Sequence, residues 1–269
     1  HIMPAATHYA VDPLDKEAAS LTDEDKARIL GGEACMWSEY VTPENIDSRI
    51  WPRAAAIAER LWSPQNVKDV SDMYDRLAYV SLELESLGLT HRSSYPPMLR
   101  RLAGDHPTEP VGVLADMVEP VKFYARGQTA KYTSFTPMNR LVDTARPESD
   151  AARRFTQMVD NALASRANLK PLAQSLREVL TRLRENDARL RPILAGSFLL
   201  KEAAPVSENL AAAAAVGLQA LGYLESGQRP ADTWRKESAE LLARAWKPQA
   251  EVLIMIVPAI KKLVDATGQ

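Results

Sequence analysis

Residues 29–41 read ILGGEACMWSEYV, and residues 49–62 read RIWPRAAAIAERLW. In the first segment, the glycine pair Gly31-Gly32 allows the backbone to bend before a short apolar run, Ala34 to Trp37, that favours a β-strand. Two polar residues follow where such a strand would end. The first segment therefore predicts a strand that leads into a polar loop.

The second segment predicts a helix. Before it, Thr42 to Asn45 supply a capping side chain and a proline suited to a first helical turn. Apolar side chains then recur at helical spacing, at Ile50, Ala54, Ile57, Ala58 and Leu61. A strand, a loop and a covering helix form one βα unit of an α/β fold, and ligand-binding groups in such folds lie just past the carboxyl end of a strand.

The two segments together form a long signature with fixed spacing. Its residues are Gly31-Gly32-Glu33-Ala34-Cys35-Met36-Trp37-Ser38-Glu39-Tyr40-Val41, Arg49, Trp51-Pro52-Arg53 and Ala58-Glu59-Arg60-Leu61-Trp62. This signature closely resembles the end of the catalytic barrel in family 20 glycoside hydrolases, the β-N-acetylhexosaminidases. The resemblance runs from Tyr9 to Gly88, about a third of the chain. It implies the last strand and helix of a (β/α)8 barrel.

The resemblance assigns substrate-binding roles to Trp37 and Glu39. Trp37 resembles the aromatic floor on which the terminal sugar rests, and Glu39 resembles the carboxylate that accepts hydrogen bonds from sugar hydroxyls distal to the scissile bond. Both roles suit the chemistry, because an indole face packs against a pyranose C–H face and charge-assisted hydrogen bonds are short and directional. Without the resemblance, the tryptophan would be interpreted as core and the glutamate as solvated.

Other signature residues are expected to support the fold. Arg53, Glu59 and Arg60 are interpreted as ion-pair partners that brace the last helix against the barrel, because partly buried charges need partners. Trp51 and Trp62 are interpreted as anchors of the same helix.

No catalytic residue is predicted in this chain. In the family that the signature resembles, a paired Asp-Glu in a Gly-Gly-Asp-Glu context does the chemistry: the glutamic acid protonates the leaving oxygen, and the aspartate orients the substrate's acetamide, which attacks the anomeric carbon. Asp23-Glu24 imitates that pair but lies in a helix start capped by Thr22. Gly31-Gly32-Glu33 is the other imitation, and it belongs to the later signature.

The chain is therefore expected to be a carboxyl-terminal fragment that is inactive by itself. The family's catalytic pair and acetamide-binding residues would fall before His1, and His1-Ile2-Met3 resembles a remnant of cloning. Ala34 to Trp37 would then lack both neighbouring strands, so we expect this segment to be irregular, refolded or paired with another molecule.

Composition narrows the function classes. The chain has 269 residues, an apolar fraction of 46%, a net charge of −2 and a pI of about 6.2. These values are typical of a packed protein and do not favour a nucleic-acid or anionic-membrane surface. The run Val252 to Ile260 is about half the length that a membrane span needs. The histidine spacing predicts no metal site, and no cofactor is expected.

The single cysteine, Cys35, excludes an internal disulfide. Because it lies in the apolar run before Trp37, it is expected to be a small buried core residue and not a nucleophile. One cysteine leaves the cellular compartment undecided, although an exported or periplasmic parent enzyme would fit.

We predict a mainly α fold in three parts: a remnant of the last βα barrel unit in residues 1–95, an irregular connector in residues 96–148, and a four- to five-helix antiparallel bundle in residues 149–269. Within the first part, residues 1–21 are expected to be loop, Thr22 to Leu30 a helix with Ala27 and Leu30 on its inner face, and Val70 to Leu87 a helix that Gly88 ends. Residues 91–97 are expected to be a linker.

Prolines every ten to fifteen residues interrupt the connector. Val111 to Met117 and Val121 to Ala125 could be short strands or helical turns, and Tyr132 to Phe135 is strand-like by composition.

The bundle is predicted from five groups of apolar residues at helical spacing, one group for each helix. In chain order they are Phe155, Val159, Ala162 and Leu163; Leu172, Leu176, Val179, Leu180 and Leu183; Leu210, Ala214, Leu218 and Leu221; Trp234, Leu241, Leu242 and Ala245; and Leu253, Ile256, Val257, Ile260 and Leu263. Pro192 is expected to end or kink the second helix and Pro258 to bend the fifth, while Gly227 ends the third.

Two groups of polar residues were weighed as binding surfaces. The basic run Arg177, Arg182, Arg184, Arg189 and Arg191 is interleaved with acidic residues and is interpreted as a solvated mixed-charge face. Tyr124, Arg126, Tyr132 and Arg140 could line a carbohydrate surface, but their spacing favours ordinary packing.

The leading hypothesis is that the chain is part of a β-N-acetylhexosaminidase. Such an enzyme releases terminal β-linked N-acetylglucosamine or N-acetylgalactosamine from glycans by substrate-assisted retaining catalysis. The expected partners are such glycans and the remaining part of the barrel. The alternative is an accessory, oligomerisation or glycan-binding helical module without catalysis, so a homo-oligomer remains open.

Overall fold

A computed structural model describes residues 3–268, and the chain divides into two compact units, residues 1–95 (unit 1) and 96–269 (unit 2). The structure is mainly helical, as predicted, and its only described sheet has two strands. None of the helices described between residues 3 and 268 combines the length and apolar character that a membrane span requires.

Unit 1 is built from short helices and one long one. Its helices are α1 (Ala5–Tyr9), α2 (Asp23–Ala27), α3 (Ile46–Ile50), α4 (Arg53–Trp62) and α5 (Val70–Ser86), with a 3₁₀ turn at Lys16–Ser20. Its core brings together side chains from α1, α4 and α5: Ala5, Tyr9, Ala56, Met73 and Leu77.

The helix predicted for residues 70–87 is confirmed. Asp69 caps α5 by accepting hydrogen bonds from the amides of Ser71 and Asp72, and Met73 and Leu77 of the predicted stripe are buried. The chain leaves the helix at Gly88, whose φ of 98° lies in the region that glycine adopts at least cost.

The prediction of loop for residues 1–21 is wrong. Residues 5–9 form α1, and Ala5 and Tyr9 are almost completely buried. A five-residue helix has little intrinsic stability, so α1 depends on packing against α4, which the local sequence does not show.

The helix predicted from Thr22 to Leu30 forms as α2, but the inner face predicted for it is not buried. Thr22 caps α2 by accepting a hydrogen bond from the Asp25 amide, as expected, but α2 has no buried residue and Leu30 is 96% exposed.

Unit 2 contains the longer helices. After α6 (Tyr95–Ala103), which begins at the unit boundary, come α7 (Glu109–Ala115), β1 (Val118–Pro120), α8 (Ala125–Thr129), α9 (Leu141–Thr144), α10 (Asp150–Ala164), α11 (Arg166–Gly196), α12 (Ala204–Ser226), α13 (Asp232–Ala245), β2 (Val252–Ile254) and α14 (Val257–Ala266), with a 3₁₀ turn at Lys201–Ala203. Helices α10 to α14 pack on one another as a bundle, and α7 packs against α11.

Helix positions within the bundle follow the predicted stripes closely. Phe155, Val159 and Ala162 are buried on α10, Leu176, Leu180 and Leu183 on α11, and Leu210, Ala214 and Leu221 on α12. Gly227 ends α12 in a left-handed conformation, as expected.

Two proline predictions in the bundle need correction. Helix α11 does not end at Pro192 but continues to Gly196, so of the two predicted effects only a kink stays a prediction. Pro258 does not bend a fifth helix: it lies in the first turn of α14, where its missing amide is tolerated.

The segment before Pro258 is also different from the prediction. Leu253 belongs to β2, which pairs antiparallel with β1 in the register Val118↔Ile254, Glu119↔Leu253 and Pro120↔Val252. The short apolar run from Val252 to Ile260 thus contains a strand and a helix start, and periodicity alone does not separate these two.

Residues 96–148 pack with the bundle in unit 2. Val111 and Leu114 of α7 are fully buried, and Val118 of β1 is too. The strand-like composition of Tyr132 to Phe135 produced no strand, since these residues lie in turns.

The close approach of α12 to α11 depends on Gly217. A Cβ at this position would lie 3.0 Å from a Leu180 methyl and 3.5 Å from Ile260 Cγ1. Leu180 therefore fills the space between three closely packed helices, α11, α12 and α14.

Replacing Leu180 by alanine should lower the free energy of unfolding by about 3 kcal/mol, because it leaves a cavity in a fully buried site. Urea titration followed by far-UV circular dichroism measures the change. The control is Leu82→Ala on α5, where the side chain is 55% exposed and the expected change is below about 0.5 kcal/mol. Equal effects in the two variants would contradict the packing described for the bundle.

Candidate functional site

The signature segment of residues 30–39 lies on the surface of unit 1 without regular secondary structure. The strand predicted for Ala34 to Trp37 is absent, which is the outcome expected for a barrel strand without neighbours. Its backbone groups are exposed to water, which can satisfy them where no partner strand is present. The segment approaches α4 at Gly32, where a Cβ would lie 3.4 Å from a Leu61 methyl.

The structure places both predicted substrate-binding residues in this exposed segment. The Trp37 side chain is 74% exposed, and Glu39 is exposed as well. They precede Tyr40, a non-glycine residue with a positive φ of 58°, so the chain turns sharply after the carboxylate. An indole face and a carboxylate are thus presented next to each other in the sequence, and both are accessible to a ligand.

Cys35 is exposed, so the prediction that it is a buried core residue is wrong. That prediction depended on a strand with covered faces, and no strand forms here. Trp62 is 93% exposed and is likewise not the buried anchor that was expected. It is the last residue of α4, beyond the part of the helix that packs on α1 and α5.

Helix α4 buries a different face from the one that its apolar pattern predicts. The buried positions are Arg53, Ala56 and Arg60, whereas the predicted stripe of Ala54, Ile57, Ala58 and Leu61 is only partly covered. The reason is tertiary: α1 and α5 both approach the face that carries Ala56. The apolar stripe of α4 consequently remains available on the side of the signature segment, where Leu61 faces Gly32.

The buried arginines of α4 donate hydrogen bonds to backbone carbonyls. Arg53 Nη1 donates to the Met3 carbonyl at 2.9 Å, which ties the start of the chain to α4. Arg60 donates to the carbonyls of Pro64 and Val67 at 3.1 and 2.5 Å, and its guanidinium lies 5.7 Å from the centre of the Tyr9 ring. These two cations thus donate hydrogen bonds to carbonyl oxygens at helix ends and turns, where no helical N–H group is available as a partner.

Glu59 is the acidic centre of unit 1 and forms the ion pair that was expected of it. Its carboxylate accepts hydrogen bonds from Tyr9 Oη at 2.7 Å and from two guanidinium nitrogens of Arg76. The bond from Arg76 lowers the pKa of Glu59, burial opposes that change, and the bond from Tyr9 reinforces it. Glu59 therefore joins α4 to α1 and to α5.

Residues 42–48, a turn followed by the first residues of α3, are held in place by polar side chains. Asn45 is fully buried, and its side-chain oxygen accepts a hydrogen bond from the Thr42 amide at 2.9 Å. Asp47 accepts from both the amide and the hydroxyl of Thr90, at 2.7 and 2.9 Å. The connection between the signature segment and α4 is therefore rigidly fastened to the rest of unit 1.

Neither sequence imitation of a catalytic pair occupies an active-site environment. Asp23 and Glu24 lie in the exposed first turn of α2, where Glu24 forms a surface ion pair with Arg28 at 2.8 Å. Glu33 is exposed in the irregular segment. Across residues 3–268, no three side chains of histidine, cysteine, aspartate or glutamate are grouped as a metal site would require.

Unit 2 contains a buried polar cluster that sequence reasoning did not assemble. Arg126 pairs with Asp143 at 2.5 Å and with Glu251 at 2.9 Å, and Arg140 pairs with Glu251 at 2.7 Å. The Tyr132 hydroxyl donates to Glu251 and accepts from both arginines, and burial followed by the bond to Glu251 raises the pKa of Tyr132. Packing was favoured for these residues, and packing is what Arg126, Tyr132 and Arg140 do.

Charge pattern alone could not have found this cluster, because Glu251 comes 125 residues after Arg126. One structural signal marks it: Ala250 and Glu251 both have positive φ, 46° and 61°. Strained backbone of this kind persists only where the surrounding contacts over-determine it.

Part of the chain is similar to a known protein family and to individual proteins. Residues 1–65 match the model of the family described as glycosyl hydrolase family 20, catalytic domain. The β-hexosaminidase subunit beta of Homo sapiens is 42% identical over 88 residues, which are 33% of this chain and 15% of the relative. The β-hexosaminidase subunit alpha of Bos taurus is 47% identical over 81 residues, which are 30% of this chain and 15% of the relative.

One solved structure extends the similarity to almost the whole chain. The X-ray structure of Flavobacterium johnsoniae chitobiase is similar with a TM-score of 0.85 and 34% identity, covering 98% of this chain and 39% of that one. The matches support the resemblance to glycosyl hydrolase family 20 that the signature indicated. It spans well under half of the chitobiase, and the matched part is 15% of each hexosaminidase subunit named above.

The pKa of Glu59 gives unit 1 a defined acid sensitivity. Because folding lowers this pKa below the ordinary 4.5, the stability that Glu59 contributes is present above pH 4.5 and is lost as the pH falls through the folded-state value. Hydrogen exchange of the α4 amides, measured by mass spectrometry at a series of pH values, should show that protection falls in acid in the wild type. In Glu59→Gln, protection should already be low at neutral pH and change less.

Glu83→Gln is the matched control for this measurement, since Glu83 is exposed on α5. It should keep the wild-type acid profile. An unchanged profile in Glu59→Gln would mean that the Glu59 carboxylate does not hold α4 to α1 and α5.

Proposed function

We propose that this chain supplies the terminal-sugar-binding part of a β-N-acetylhexosaminidase, an enzyme that hydrolyses β-linked N-acetylglucosamine or N-acetylgalactosamine from the ends of glycans. The observation that supports it is the exposed pair of Trp37 and Glu39 within a family 20 signature. The similar proteins, hexosaminidases and a chitobiase by name, point to the same substrate class.

Trp37 provides the sugar's resting surface. The C–H bonds on one face of a pyranose carry partial positive charge, and the indole face carries partial negative charge, so the two surfaces attract as well as exclude water. A tryptophan that is 74% exposed has most of its ring available for such a contact.

Glu39 orients the sugar through its hydroxyl groups. A carboxylate accepts several hydrogen bonds, and those bonds are shorter and stronger than the ones between neutral groups. Because Glu39 follows Trp37 by two residues in an exposed segment, we expect its carboxylate to reach the hydroxyl edge of a sugar that rests on the ring.

Hydrolysis itself is assigned to residues outside this chain. In the substrate-assisted mechanism of family 20, the acetamide oxygen of the substrate attacks the anomeric carbon while an acid protonates the leaving oxygen. Neither Asp23-Glu24 nor Glu33 lies in a setting that would serve as that acid. We therefore propose that the 269-residue chain by itself does not cleave glycosides, and that its apolar surface beside α4 is covered by the remaining part of a barrel.

The test uses a protein that carries this chain within a complete family 20 catalytic domain, assayed with a chromogenic N-acetylglucosaminide. Trp37→Ala should lower kcat/KM by about a hundredfold and Glu39→Gln by about tenfold or more, because both remove contacts that hold the reacting sugar. The control is Tyr79→Ala, since Tyr79 on α5 has the same 74% exposure as Trp37. It should leave kcat/KM unchanged.

The same assay separates this function from glycan binding without catalysis. Activity in the complete protein and none in the 269-residue chain supports the proposal. Cleavage by the 269-residue chain alone would overturn the assignment of the catalytic acid to residues outside it. Binding of oligosaccharides by the complete protein without any cleavage would favour a lectin-like role.

A further inference from the structure

Three large aromatic side chains are exposed within a short stretch of unit 2. Phe123 is 64% exposed, Tyr124 is 71% exposed and Phe135 is 93% exposed. Exposed aromatic rings grouped on one part of a surface are uncommon and mark interaction sites. These three residues are called the aromatic platform below.

The two segments that carry the platform are fastened to one buried carboxylate. Arg126, two residues after Tyr124, donates to Glu251 at 2.9 Å and to the Tyr132 hydroxyl at 2.6 Å. Arg140, which follows the second segment, donates to Glu251 and to Tyr132, both at 2.7 Å. The segments around Tyr124 and Phe135 are therefore both tied to Glu251 through these hydrogen bonds.

The backbone at the platform is also fixed locally. Phe123 has a φ of 55°, a conformation that is costly for an aromatic residue and is kept where the surroundings impose it. Phe135 lies in a turn closed by two threonines: its amide donates to Thr133 Oγ1 at 3.3 Å, and the Thr133 amide donates to Thr136 Oγ1 at 2.9 Å. Rings presented on fixed backbone lose little conformational entropy when a ligand stacks on them.

The charges near the platform select an uncharged ligand. Arg126 and Arg140 are engaged by Asp143 and Glu251, with Glu202 also on Arg140, and Lys122 is engaged by Glu119 at 2.6 Å. A nucleic-acid strand would need several cations available for its phosphates. These three already have carboxylate partners, which leaves Lys131 as the exposed cation between Lys122 and Arg140. Neutral ligands that present alternating C–H faces and hydroxyl groups suit flat aromatic rings best.

We propose that the aromatic platform binds chains of β-linked N-acetylhexosamine, each ring stacking on one sugar face. The choice of aminosugar rests on the proposed function, because the surface itself specifies only a neutral glycan. The platform is part of unit 2 and its binding does not require Trp37 or Glu39.

Isothermal titration calorimetry with the β-1,4-linked N-acetylglucosamine hexamer tests the proposal on the 269-residue chain. The double variant Tyr124→Ala/Phe135→Ala should raise the Kd by at least about tenfold, since two stacking contacts are lost. Phe198→Ala is the matched control, because Phe198 is also in unit 2 and is 74% exposed. It should change the Kd less than about twofold.

A conservative variant guards against loss of structure. Phe135→Trp keeps a flat ring on the same turn, so it should retain binding and report it by a shift of tryptophan emission when the hexamer is added. Tyr79→Ala, which removes a 74% exposed ring in unit 1, should keep the wild-type Kd for the hexamer. The two proposals fail separately: the platform fails if the double variant keeps the wild-type Kd, whereas the proposed function fails if Trp37→Ala leaves hydrolysis by the complete protein unchanged.

Other outcomes overturn the proposal. They are no binding by the wild-type chain, an unchanged Kd in the double variant, equal losses in the double variant and in Phe198→Ala, or equal affinity for a glucose hexamer that lacks the acetamide groups. Sedimentation showing a dimer that only the double variant abolishes, without hexamer binding, would assign the surface to a second copy of the chain instead.

Discussion

An extended segment cannot satisfy its own backbone. Each N–H and C=O of a strand needs a partner on a neighbouring strand or a water molecule, whereas a helix satisfies these groups within itself. This constraint explains why unit 1 consists of helices joined by an exposed irregular segment at residues 30–39. The apolar character of Ala34 to Trp37 is suited to a strand in a sheet, but without adjacent strands it leaves the segment that carries Trp37 and Glu39 open to solvent.

In unit 2, the buried charges around Glu251 are instead paired with one another. Glu251 receives hydrogen bonds from Arg126, Arg140 and Tyr132, and Asp143 balances the remaining charge of Arg126. A buried carboxylate is tolerated only when its partners are all present, so the positions of several loops become dependent on one another. This dependence converts loops, which are usually mobile, into fixed supports for Phe123, Tyr124 and Phe135.

Long helices with apolar residues at regular spacing could be predicted well. Helices α5 and α10 to α13 occupy the predicted regions, and Leu176, Leu180 and Leu183 are buried as their spacing indicates. Short elements could not, because α1 and β1 exist only through contacts with distant residues, such as the pairing of Val118 with Ile254. The buried face of α4 was predicted wrongly for the same reason: its neighbours α1 and α5 choose the side with Ala56, although the apolar residues lie mainly on the other.

The sequence by itself determined the resemblance to family 20 and the helical bundle, and it pointed to Trp37 and Glu39 as candidate ligand-binding residues. These depend on local order and on the signature between residues 31 and 62. The tertiary structure alone decided that Cys35 and Trp62 are exposed, that Arg53 and Arg60 bind backbone carbonyls, and that Arg126 meets Glu251. The physical reason is that local patterns follow from interactions a few residues apart, whereas burial and ion pairing depend on which distant segments fold against each other.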